Sequence, residues 1–142
     1  GGKSLILTTT NGTLAVKNCL GANSLLMGAF LNLDAVVNKL LRFTEVVLVC
    51  AGTENNYSMD DGLCAAWIIH RLKLRVKTEL DDLGHHLLEG LNPAQHLTSA
   101  LKDCHHLNYL VSKGYARDVD YCLQVDIHRV VPVYDDGRII AS

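Results

Sequence analysis

Asp60 and Asp61 stand side by side just after a small, polar run (Ala51, Gly52, Thr53, Glu54, Asn55, Asn56, Tyr57), which itself follows the apolar residues 46–49. Those four residues, valine or leucine throughout, show no alternation, the pattern of a strand buried on both faces of a parallel sheet. Ser58, with Asp61 three residues on, resembles a capping box, so a helix is expected to start here and continue through Leu63, Ala66, Trp67 and Ile69. Both carboxylates then lie in a helix's first turn beside the carboxyl end of a strand, where open α/β sheets bind ligands. A second turn of this kind holds Thr8, Thr9, Thr10, Asn11, Gly12 and Thr13, between a strand over 5–9 and the short helical face of Leu14, Ala15, Val16, Cys19 and Leu20. Hydroxyls and N–H groups at such a turn can seat an anion. Each feature also has a plain reading: the aspartates only complement a helix dipole, worth about 0.3 to 1 kcal/mol each, and Asn11 simply caps a helix.

Positioning these turns calls for a sheet. Residues 24–28 form a third strand candidate, followed by Ala35, Val36, Leu40 and Leu41 at helical spacing, with Asn32 or Asp34 near the start. The order β, α, β, α, β, α with short connections predicts a parallel βαβ core with right-handed crossovers. Beyond Arg71, helices are expected over 77–90, 93–104 and 105–113, with Asn92 as cap, Pro93 at the first helical position and Gly114 as stop. A short helix near 118–123 comes next. Val130, Val131, Val133 and Tyr134 then lead through Asp135, Asp136 and Gly137 into Arg138, Ile139 and Ile140, a terminal β-hairpin. The predicted fold class is therefore α/β in one domain over 1–142: a parallel-sheet βαβ core, a helical segment and a terminal β-hairpin.

The 142 residues suffice for one domain, and 13 Lys and Arg against 15 Asp and Glu leave the chain close to neutral. With no basic run and few aromatics, a nucleic-acid partner is not expected, and a small molecule is. No apolar segment reaches the roughly 20 residues a bilayer span requires, and no signal peptide is evident, so a cytoplasmic protein without a membrane partner is expected. Cys19, Cys50, Cys64, Cys104 and Cys122 are scattered without a CxxC pair, which favours reduced thiols over zinc or disulfides. His85, His86, His96, His105, His106 and His128 crowd the second half, but adjacent histidines on a helix face different sides, so they read as exposed polar groups, as do Asp81 and Asp82. Gly1 to Ser4 spell GGKS, yet the strand-like residues that follow do not open a helix, so a phosphate-binding P-loop is rejected.

Four segments carry a resemblance: LILTTTNGT (residues 5–13), LLMGAFLN (25–32), VVLVCAGTENNYSMDDGLCAAWII (46–69) and VVPVYDDGRI (130–139). In order and spacing they resemble the ComB-type 2-phosphosulfolactate phosphatases of sulfolactate and coenzyme M biosynthesis. The resemblance implies an α/β fold and a magnesium-dependent hydrolase that removes phosphate from 2-phospho-3-sulfolactate. It also implies a longer enzyme whose amino-terminal portion bears a motif resembling DVLRA, so this chain looks like the carboxyl-terminal part and that portion is an expected partner. The chain departs from the family pattern at Asn55 and Asn56, where a glycine and a basic residue are expected, and at Ala66, where glycine is usual.

Under that resemblance Asp61 is expected to bind Mg2+ and act in catalysis, with Glu54 or Asp60 as a second ligand or as the group that orients water. Thr9, Thr10, Asn11, Gly12 and Thr13 would seat one anionic group and Gly52 with Thr53 another, on a phosphorylated sulfonate or carboxylate. Arg42, Arg71 and Lys73 are the nearest cations in sequence. Other phosphatase chemistries lack their residues. A cysteine nucleophile needs an arginine six positions on, where Cys50 and Cys64 have Asn56 and His70. The one DxD, at Asp118 and Asp120, falls in a helical context, and no GxSxG elbow occurs. A three-strand sheet with a large helical remainder would need covering, so a missing domain or self-association is also expected.

Overall fold

A computed structural model describes residues 4–141. Its elements in order are α1 (Gly12–Asn18), a 3-10 turn (Phe30–Asn32), α2 (Leu33–Leu40), α3 (Met59–Lys73), α4 (Asp82–Glu89), α5 (Leu97–Ala100), α6 (His105–Ser112), α7 (Ala116–Cys122), β1 (Pro132–Asp135) and β2 (Arg138–Ala141). The GGKS stretch falls mostly on residues 1–3, outside the described residues. No described helix is long and apolar enough to cross a membrane.

α3 is the central element, packed against α2, α4 and α6. Its buried Ala65, Ile68, Ile69 and Leu72 recur at three- and four-residue spacing and make one apolar stripe. Asp60 and Asp61 in its first turn and His70, Arg71 and Lys73 in its last complement the helix dipole at both ends. α2 buries Leu33, Val36, Val37 and Leu40 against that stripe, with Leu33 and Val37 at 0% exposure. Leu97, Leu101, Cys104, Leu107, Val119 and Val131 complete the same cluster, so the helices share one core.

The expected parallel sheet is absent among the described residues. Among the described residues the only sheet is the β1–β2 hairpin, antiparallel from Pro132↔Ala141 to Asp135↔Arg138. Its turn runs through Asp136 and Gly137, both at positive φ, as tight hairpins require. Residues 24–28 pair with this hairpin in the antiparallel sense instead: Leu26 bridges Val133, and the Met27 N–H donates to the Pro132 carbonyl at 2.8 Å. Residues 5–9 and 46–49 belong to no helix and join no ladder among the described residues. Far from being covered on both faces, Ile6 is 96% exposed and Val47 77%. Apolar composition can specify an extended backbone, but a strand exists only where a neighbour takes up its N–H and C=O groups. The fold is mostly helical.

The helical segment matches its expected positions in part. The helix over 77–90 shortens to α4, where Asp81 caps by accepting the Gly84 N–H at 2.7 Å. The helix over 93–104 reduces to α5, because Asn92 accepts the Ala94 N–H at 3.1 Å and shapes a turn there. α6 and α7 lie close to where they are expected, and Gly114, at φ +92°, ends α6.

Candidate active site

The first turn closes on itself. The Thr9 hydroxyl oxygen accepts the Thr13 N–H at 3.2 Å, and the Thr13 hydroxyl donates to the Thr9 carbonyl at 2.6 Å. Asn11 precedes α1 without capping it through its side chain. Its Oδ1 accepts the Glu54 N–H at 3.3 Å instead, which ties the first turn to the second.

The second turn depends on left-handed backbone. Gly52 has φ +72°, and a Cβ there would sit 2.5 Å from the Asn56 carbonyl oxygen, so only glycine fits. Glu54 and Asn55 also have positive φ, inside a loop closed by reciprocal hydrogen bonds between Thr53 and Asn56. The chain then enters α3 through an extended Ser58. The expected capping box does not form, because its two side chains turn elsewhere. Asp61 Oδ2 accepts the Gly52 N–H at 2.7 Å, and the Ser58 hydroxyl donates to Asp60 Oδ1.

These turns meet at a cleft of about 260 Å³. Thr9, Thr10, Asn11 and Gly12 form one wall, and Ala51, Gly52 and Asp61 form the other. His106, from the first turn of α6, completes the lining. Other expected residues lie off this lining. The Thr13 hydroxyl is committed to Thr9, and the Thr53 hydroxyl donates to Ser58 Oγ at 3.2 Å. Glu54 is exposed and contributes its backbone N–H to the tie with Asn11. Arg71, one of the expected cations, is engaged by Asp34 and Asp126. A larger cavity of about 430 Å³ lies between α3, α4 and α5, but neither Asp60 nor Asp61 lines it.

The adjacent aspartates differ electrostatically. Asp60 accepts from Ser58, from His106 Nδ1–H at 3.1 Å and from the Cys104 thiol at 3.7 Å. Burial pushes its carboxyl up, but the hydrogen bonds from Ser58 and His106 outweigh this and hold it below the ordinary value of 3.8. Asp61 is raised above that value, by burial first, with the Gly52 N–H opposing and the charge of Asp60 adding to the rise. Cys64 is pushed up to about 12 by burial and then by Asp61, Cys50 and Asp60, which leaves it a thiol rather than a nucleophilic thiolate.

The donor set suits a hard cation. Asp61 Oδ2 is taken by Gly52, Oδ1 is left to face a ligand, and the facing wall offers threonine and asparagine oxygens. No three His, Cys, Asp or Glu side chains among the described residues gather into a preformed cage. Magnesium needs none, since it keeps several waters and takes one or two carboxylates with substrate oxygens.

Ala51 and His106 are the lining residues that sequence reasoning did not single out, and His106 was grouped with the exposed histidines. It is half-buried and meets a carboxylate 46 positions away, a distance no local pattern spans. A signal was available nonetheless. His106 and the partly buried Leu110 share a helical face, whereas His105 and Tyr109 share an exposed one.

Residues 1–137 match the family described as 2-phosphosulpholactate phosphatase. The chain is 34% identical over 139 residues to a probable 2-phosphosulfolactate phosphatase of Clostridium beijerinckii, covering 96% of this chain and 58% of that protein. It is 35% identical over 140 residues to the like-named protein of Clostridium botulinum strain Eklund 17B, covering 97% and 59%. It is 37% identical over 143 residues to that of Caldanaerobacter subterraneus subsp. tengcongensis, covering 99% and 59%. The chain thus spans less than two thirds of the length of these curated relatives. With the match running over nearly its whole length, this chain belongs to the 2-phosphosulfolactate phosphatase family.

Proposed function

We infer that the cleft is the phosphate-handling part of a magnesium-dependent phosphoric monoester hydrolase that converts 2-phospho-3-sulfolactate to 3-sulfolactate and phosphate. The observation that carries this reading is the meeting of the two turns at one cleft, with Asp61 on its wall, in a chain of this family. Asp61 would hold Mg2+, and Thr9, Thr10, Asn11 and Gly12 would seat an anionic group of the substrate. When bound, the metal offsets charge on the phosphoryl oxygens and makes a bound water a better nucleophile. A place in coenzyme M biosynthesis and a cytoplasmic setting follow from the same reading.

The cleft as it stands is short of positive charge. No lysine or arginine lines it among the described residues, although the substrate would carry a phosphate, a sulfonate and a carboxylate. The exposed Leu5, Ile6, Leu7, Val46, Val47 and Val49 are likewise short of cover, while Leu48 between them packs against the core. Both shortages fit a chain that works with the further length its relatives possess, and the same exposed segments would favour self-association. The missing cations also support a second reading, in which the chain is a non-catalytic anion-binding or structural module.

Phosphate release from 2-phospho-3-sulfolactate with Mg2+ separates the readings. The chain alone is expected to be nearly inactive, and adding the remaining portion of a relative is expected to restore turnover. Strong activity from the chain alone would refute the half-site view. Phosphate binding without turnover in either arrangement would favour the module.

A further inference from the structure

Around the first turn of α3, Thr53, Ser58, Asp60 and His106 form a hydrogen-bonded chain. It runs from the Thr53 hydroxyl to Ser58 Oγ at 3.2 Å, from the Ser58 hydroxyl to Asp60 Oδ1, and reaches His106 Nδ1 at 3.1 Å from Asp60 Oδ2. An ionised carboxylate has no hydrogen to give, so this contact places a ring hydrogen on Nδ1 and leaves Nε2 as the polar ring atom for the cleft that His106 lines. Its placement is firm, because Cys104 and Leu107 on either side are 1% and 9% exposed and anchor α6 in the core. His106 is also the only basic side chain on the cleft wall among the described residues.

We propose that His106 is a phosphate-contacting residue of the cleft and that Asp60 is the positioning residue that holds it there. This rests on reading the cleft as a phosphate site. Nε2 can meet a phosphoryl group with either ring form, donating to an oxygen when both nitrogens carry hydrogen and accepting from a P–OH when one does. The Thr53 and Ser58 hydroxyls join the second turn to Asp60, so this loop and the ring are held as one hydrogen-bonded unit.

Nitrogen-15 NMR of the histidine side chains in this chain tests the proposal, with His106→Asn identifying the His106 signals and inorganic phosphate as the probe. The expected spectrum has the hydrogen on Nδ1, and phosphate shifts the Nε2 resonance together with the Gly12 amide. Asp60→Asn is expected to redistribute the ring hydrogen between the two nitrogens and to weaken the phosphate response about tenfold. A shifted Gly12 amide with an unmoved Nε2 would overturn the role of His106 while leaving the cleft reading intact. An unchanged tautomer in Asp60→Asn would overturn the role of Asp60. If phosphate moved neither resonance, both readings would fall together.

Discussion

The helical core and the two segments 5–9 and 46–49 that feed the cleft are built from similar apolar residues, yet they end in opposite environments. Leu33 and Val37 are wholly buried between α2 and its neighbours, whereas Ile6 and Val47 are almost bare. A helix satisfies its own backbone groups and needs only one covered face. An extended segment satisfies neither its backbone nor its side chains alone. The first region therefore supplies stability, and the second supplies the ends on which the cleft is built.

Truncation in the two regions should have unequal effects. Leu33→Ala is expected to cost about 3 kcal/mol in denaturant unfolding, through lost burial and a residual cavity. Gly52→Ala comes next, at about 2 kcal/mol, because its positive φ and the nearby Asn56 carbonyl leave no place for a Cβ. Val47→Thr should fall within about 0.5 kcal/mol, as exposed substitutions do. A loss at Val47 as large as that at Leu33 would break the contrast.

Charge sharpens it further. Asp60, lowered in the folded state, contributes stability that is complete above pH 3.8 and is lost as pH falls through its depressed folded value. Asp60→Asn should therefore lower Tm by a few degrees at neutral pH, with the difference vanishing in acid. Asp61 has the opposite sign. Its raised folded value makes its contribution greatest below pH 3.8 and lost as pH rises through the folded value. Asp61→Asn should raise Tm at neutral pH, as removal of a strained functional charge often does. Thermal melts across pH would decide, and the same sign for both variants would contradict this account.

The legible features were mostly local ones. The helix α3, the stop at Gly114 and the Asp136–Gly137 turn rest on neighbours within a few positions, and pattern reading recovers such features, whereas Asp81, read as part of an exposed helix face, turns out to cap α4. The two turns that line the cleft could be marked because small and hydroxyl residues interrupt apolar runs at both. What failed needed knowledge of partners distant in sequence. Residues 5–9 and 46–49 look like strands, but no pattern reveals whether a neighbour is there to pair with them. The Ser58 capping signature was real in composition, yet Asp61 found the Gly52 N–H and Ser58 found Asp60. His106 reaches Asp60 only because α6 packs across α3, a contact set by the core.

The central claim is that Asp61 faces the reacting phosphate. It is tested most directly by Mg2+-dependent phosphate release from 2-phospho-3-sulfolactate, in a protein extended to the length of these relatives, with and without Asp61→Asn. The expected result is a loss of about 100-fold or more in kcat, as for removal of a group that stabilises the transition state, with an unchanged circular dichroism spectrum. Turnover near that of the unsubstituted protein would contradict the account and leave Asp61 as no more than a helix-dipole partner.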